Sequence, residues 1–136
     1  YDVMTARDSS IPRDQRDINA LASVSANRAA VMVWDYHDLN IVSPPEAVNL
    51  EISGIDAGDV QVTHYRVDQD NGNSYEAWKK MGSPQEVSDE QYKTLEQAGK
   101  LRLVEGPEKN DVDGGVLTIP TDLEGQAVSL FIIEWK

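Results

Sequence analysis

The sequence predicts a mainly β domain, an antiparallel sandwich of the immunoglobulin-like or fibronectin-like kind with a two-helix hairpin inserted into it. Three observations carry that prediction. Short runs of strand periodicity recur along the chain, separated by turn residues and with no repeating strand-helix-strand unit. Between His64 and Gly99 that pattern stops, and two segments with helix start and stop signals take its place. Strand patterns then resume to the end, so the helices interrupt an all-β unit.

Residues 1–17 are polar, include Pro12 and show neither hydrophobic period, which predicts a linker or the tail of a preceding domain; the sandwich is expected over 18–136. INALASVSA and AAVMVWDYH read as two strands turned back on each other at Asn27 and Arg28. In the second, Val31, Val33 and Asp35 share one side while Met32, Trp34 and Tyr36 share the other. Both sides are largely apolar, which predicts a central strand. Ser43, Pro44 and Pro45 mark a turn, since consecutive prolines lack the ladder donor. Val48, Leu50 and Ile52 alternate with polar residues up to Gly54, and Val60, Val62 and His64 do the same.

The insertion spans about 73–99. Asn73 or Ser74 can cap a helix through Tyr75, Trp78 and Met81, with Gly82 suited to a left-handed C-terminal position. Ser88 and Gln91 form a capping-box pattern for a second helix through Tyr92, Leu95 and Ala98, ending at Gly99. Leu101 to Val104, Val116 to Ile119 and Ala127 to Trp135 read as further strands around a polar loop. The last of them, AVSLFIIEW, is almost continuously apolar and is expected to be buried.

At 136 residues the chain suits one domain with a real core, and no apolar run approaches the roughly 20 residues that span a bilayer. It begins at Tyr1, which suggests a piece of something longer. Its 24 acidic against 12 basic residues disfavour nucleic acid and anionic membrane surfaces as partners, because both are held by clustered Lys and Arg. There is no cysteine, hence no disulfide, thiolate site or cysteine nucleophile.

Chemistry-bearing patterns are sparse. No glycine-rich phosphate loop and no G-x-S-x-G elbow is present, and His37 and His64 lack metal-ligand spacing. A strand-end residue bonded to backbone is the better account of each histidine; no metal or cofactor is expected. A glycosidic bond could be cleaved by two carboxylates about 5–10 Å apart, but one of them needs partial burial to raise its pKa. Only Asp35 and Glu134 lie in apolar runs, and both are better read as facing solvent or a neighbouring domain. Trp34, Tyr36, Tyr65, Tyr75, Trp78 and Tyr92 could stack on sugar rings. Aromatic residues at strand and helix periods are more often core, so packing of the hairpin onto the sandwich is the stronger expectation. Asp68, Asp70, Asn71 and Asn73 are oxygen-rich enough for calcium but lack the EF-hand spacing and its final Glu, which favours turn chemistry.

Taken together, ALASVSANRAAVMVWDYHD, VTHYRVDQDNGNSYEAWKKMGSPQEVSDEQYKTLEQAGKL and QAVSLFIIEWK resemble the C-terminal β-sandwich domain of family 39 glycoside hydrolases, chiefly β-xylosidases, with α-L-iduronidase as a more distant relative. The resemblance runs from about Ile18 to Lys136. Its most specific parts are HYR-x-D at His64 to Asp68, the turn into the first helix at Asn73 to Trp78, M-G-S-P at Met81 to Pro84, and the closing strand. It implies a parent with a (β/α)₈ barrel carrying two catalytic glutamates, neither in this chain, and hence no catalytic residue here. The partner it implies is that barrel, contacted by the hairpin and the aromatics Trp34, Tyr36, Tyr65, Tyr75 and Trp78, with His64, Arg66, Asp68 and Asn73 as polar contacts. It also implies that a segment preceding the barrel can add to the sandwich, leaving an exposed edge here. A carbohydrate-binding module and a freestanding protein-interaction sandwich are the alternatives.

Overall fold

A computed structural model describes residues 4–5, 16–36 and 44–136. The elements in chain order are β1 (Met4–Thr5), β2 (Asp17–Ser25), β3 (Arg28–Tyr36), β4 (Glu46–Ser53), β5 (Asp59–Val67), α1 (Ser74–Lys80), α2 (Asp89–Ala98), β6 (Arg102–Asp111), β7 (Val116–Leu123) and β8 (Val128–Glu134). Six strands form one sheet in the order β1-β2-β3-β8-β5-β6, while β4 and β7 form a second. Every strand pairing is antiparallel, as the sequence predicts.

The two sheets face each other across an aliphatic core. Ala29, Val31 and Val33 of β3, Val60 and Val62 of β5, and Phe131 and Ile133 of β8 point inward from the large sheet. Leu50 of β4 and Leu117, Ile119 and Leu123 of β7 meet them from the small one. The period-2 alternation of β4 and β5 read from the sequence is the alternation of these inward side chains.

Several expectations are corrected. Within the stretch read as linker, Met4 and Thr5 pair with Ala22 and Leu21, and Asp17 pairs with Tyr36. Arg16 reaches Asp35 with Nε 2.7 Å from Oδ2, and its Nη2 closes on the same oxygen. Asp35 is therefore buried on the core side, 1% exposed, and not turned to solvent. The arginine supplies the partner that a buried carboxylate requires, and Asp35 in turn raises the pKa of the guanidinium by that hydrogen bond. Glu134 is exposed and faces Arg28 at 3.7 Å. His37 and Ser43 lie outside the described residues.

β6 runs to Asp111, well beyond the expected Val104. As the last strand of its sheet it is bonded only to β5 and largely exposed, so it carries polar residues with no hydrophobic alternation to betray it. Its register shifts against β5 between Val62 and His64. Gly106 sits in that irregularity with φ +97, and a Cβ there would lie 2.3 Å from the carbonyl oxygen of Val62.

The hairpin forms as its signals predict. Asn73 caps α1 through Glu76 N at 3.1 Å, Gly82 takes φ +87, and the Ser88–Gln91 capping box is complete. Neither helix contains a buried residue. Trp78 is half-buried and donates Nε1 to Pro84 O at 3.0 Å, but Tyr75 and Tyr92 are 61% and 62% exposed. These two tyrosines therefore do not pack the hairpin onto the sandwich. Helical spacing puts rings on one side without deciding what that side meets, and the two helices pack mainly on each other.

Gly106→Ala is expected to lose about 2–5 kcal/mol in urea unfolding, from the strained φ and the clash with Val62. Gly58→Ala, where an added Cβ meets nothing within 4 Å, should stay within about 0.5 kcal/mol of the parent sequence.

Candidate functional site

The sequence-predicted residues fall into four places. Trp34, Tyr36 and Tyr65 lie on the outer face of the six-stranded sheet, His64 and Arg66 lie between the sheets, and Asp68 and Asn73 form the turn into α1. Tyr75 and Trp78 stand apart on α1.

The outer face is built by register. Leu21, Met32, Leu130, Tyr65 and Leu103 form one row across β2, β3, β8, β5 and β6. Asn19, Trp34, Val128 and Val67 form the row on one side of it, and Ser23, Ala30, Ile132 and Thr63 the row on the other. No member of these rows is charged, although 36 of the 136 residues are Asp, Glu, Lys or Arg. All are half-buried except Leu103, which is 47% exposed, and Tyr36 beyond the Trp34 row is 54% exposed. The outer face of the small sheet is different in kind: Asn49, Glu51, Thr118 and Asp122 are exposed and polar. Of the large outer face, the sequence singles out only Trp34, Tyr36 and Tyr65 as candidates. The signal for the others was present in AAVMVW and AVSLFII, where the failure of alternation means apolar contact on both sides.

Between the sheets, β5, β6 and β7 line a cleft of about 400 Å³. His64 is buried there, stacked on Phe131 with centroids 4.2 Å apart, and its Nε2 is 3.0 Å from Ser129 Oγ. Arg66 donates Nε to the same hydroxyl at 3.2 Å, and its Nη2 to Thr121 Oγ1 at 3.2 Å and to Asp122 O at 2.8 Å. The serine oxygen thus accepts from arginine and shares a second hydrogen bond with the imidazole. Burial, and after it the charge of Arg66, pushes His64 from 6.5 down to about 4. Arg66 also ties the large sheet to the small one through β7.

Asp68 is buried at the end of β5. Its Oδ1 accepts from the backbone N–H groups of Asp70 and Asn71 at 2.8 Å each, and Asn71 Nδ2 lies 2.9 Å from both carboxylate oxygens. Asn73 Nδ2 donates to Asp68 O at 2.9 Å while its Oδ1 caps α1. The carboxylate oxygens meet N–H donors, which is the chemistry of a turn that launches a helix. Asp70 pairs with Lys80 at 3.3 Å.

On α1, the rings of Tyr75 and Trp78 stack with centroids 5.8 Å apart and planes 28° from parallel, and Lys79 Nζ lies 5.0 Å from the Tyr75 centroid. Rings stacked on each other offer less free face to a sugar than a side-by-side platform would. Among the described residues, no group of His, Asp or Glu is placed to hold a metal ion, and no helix is long and apolar enough to cross a membrane.

A two-sheet antiparallel sandwich with an inserted helical hairpin is the class of domain these features define. The profile of glycosyl hydrolases family 39 matches residues 12–116, and the chain belongs to that family. A search of curated protein sequences finds no match. Solved structures share the fold. The GH39 enzyme from Xanthomonas axonopodis pv. citri superposes with a TM-score of 0.70 at 20% identity, over 85% of this chain and 25% of that one. A monomeric β-xylosidase from Caulobacter crescentus CB15 gives 0.67 at 18%, over 85% and 26%. A bacterial orthologue of human α-L-iduronidase gives 0.65 at 18%, over 93% and 23%. The chain thus spans about a quarter of the length of each.

The buried polar residues make the stability of the domain depend on pH and on single side chains. Above pH 6.5 His64 is neutral in both folded and unfolded chains. From there down to about 4 the unfolded chain binds a proton that the folded one refuses, so stability falls with falling pH by at most about 3 kcal/mol. Urea unfolding at about pH 7.5 and about pH 5 should show this slope in the native sequence and a flatter one in His64→Phe. Asp68→Ala should cost about 2–3 kcal/mol in the same assay, and Asp68→Asn, which keeps an oxygen for the two backbone donors, less than about 1.5 kcal/mol.

Proposed function

We propose that this chain is a noncatalytic accessory domain of a β-xylosidase-like family 39 glycosidase, packing on and stabilising a (β/α)₈ catalytic barrel elsewhere in its parent. The observation that carries this reading is the coverage: nearly all of the chain matches only about a quarter of each solved family structure. A barrel of that kind takes roughly 250 residues, more than the 136 of this chain. Two of the matched structures are of β-xylosidases, which favours a pentoside as the parent's substrate and the breakdown of xylan-derived oligosaccharides as its setting.

The chemistry of the polar residues agrees with a structural role. Asp35 is neutralised by Arg16, Asp68 is taken up by turn donors, and His64 is held neutral between Ser129 and Phe131. A retaining glycosidase needs an acid with a raised pKa about 5 Å from a free carboxylate nucleophile. These groups are engaged otherwise.

Hydrolysis of a chromogenic β-xyloside is expected from the full-length parent and not from residues 1–136 alone. Turnover by residues 1–136 would overturn the accessory role. A parent that is silent on xylosides but active on another glycoside would correct the substrate and leave the role standing.

A further inference from the structure

We infer that the outer face of the six-stranded sheet, centred on Met32, Trp34, Tyr65, Leu130 and Ile132, is the surface on which the rest of the parent chain docks, rather than the helical hairpin. The inference rests on the accessory-domain reading and adds to it which surface makes the contact.

The outer face of the large sheet has a charge-free centre, bounded at one end by the row Ser25, Arg28, Glu134, Gln61 and Lys109 and at the other by Asp17. Three successive rows of the large sheet carry no charged side chain, while the small sheet presents Glu51 and Asp122 to solvent. In a chain with a net charge of −12, a charge-free area with Trp, Tyr and Met at its centre has the composition of an interface core and not of a solvated surface. The rows span about 20 Å across the strands and about 15 Å along them, from the usual strand spacing and rise. That is about 300 Å² before side-chain spread, and domain contacts within one chain bury about 600–1,500 Å² counted over both sides. A patch of this size, rimmed by charged residues, falls in the range of the largest apolar patches of single domains, which are often functional.

The hairpin does not cover it, since neither helix buries a residue and their main packing is mutual. The inferred occupant is the other three-quarters of a family 39 chain, judged by the length of the matched structures. Tyr36 and Leu103 lie at two margins of the patch and are 54% and 47% exposed in this domain, so each has surface that a second domain can protect.

Cysteine labelling of the full-length parent tests this, because the chain itself contributes no cysteine. Single variants Tyr36→Cys, Leu103→Cys, Asn49→Cys and Tyr92→Cys are labelled with a maleimide in the native parent, and the modified peptide is followed by mass spectrometry. Tyr36→Cys and Leu103→Cys are expected to react at least about tenfold more slowly than Asn49→Cys and Tyr92→Cys. Slow labelling of Tyr92→Cys with fast labelling at the patch would overturn the inference while the accessory reading survives, with the hairpin as the contact. Fast labelling at all four positions would overturn both. Protection at the patch that vanishes on dilution would make a second copy the occupant and overturn the inference as well.

Discussion

The sandwich depends on one strand pairing made at the very end of the chain. β8 is hydrogen-bonded on both sides, to β3 with Val31 opposite Phe131 and to β5 with His64 opposite the same phenylalanine. Without it, the β2–β3 hairpin with the two-residue β1 and the β5–β6 pair would be separate pieces, and such small pieces are marginal in water. β8 also supplies Phe131 and Ile133 to the core and Ser129 to the His64–Arg66 cluster. Closing the large sheet thus waits on the most distant contact in sequence, which is the costly kind to form.

Around that strand the molecule divides its surfaces by chemistry. Inward faces are mainly apolar, and the polar groups among them are partnered, Asp35 by Arg16 and His64 and Arg66 by Ser129. The outer face of the small sheet is polar. The outer face of the large sheet has a charge-free, largely apolar centre, and nothing in the interior chemistry of the domain calls for that. The same strands that must be hydrophobic to fill the core are largely hydrophobic again on the far side, and the proposed docking of a second domain would account for this second demand.

Much of this was legible in the sequence, for physical reasons that differ by element. β4 and β5 announced themselves because each has one buried and one exposed side, so polarity alternates at period 2. The hairpin was legible because caps are local: Asn73, Gly82, Ser88 and Gln91 act within a few residues of where they sit. β6 was largely missed beyond Val104, since an edge strand stripped of apolar residues looks like a loop. The burial of Asp35 was missed because its partner, Arg16, is 19 residues away in a stretch without periodicity. AVSLFIIEW was read as wholly buried, whereas Ser129, Phe131 and Ile133 are buried and Val128, Leu130 and Ile132 are only half so. A strand pattern can say that both sides are apolar; it cannot say whether the second side is covered by this domain or by another.

Fold alone does not fix activity, and a sandwich of this kind serves many functions. What joins this one to the glycoside hydrolases is family membership, and the place proposed for it is on a catalytic domain. A crystal structure of the full-length parent measures this most directly. It is expected to show a catalytic domain seated on the row from Leu21 to Leu103, the β4–β7 surface in solvent, and no side chain of this chain among the reacting groups. A catalytic domain seated on β4 and β7, or a carboxylate of this chain in its active centre, would refute that arrangement.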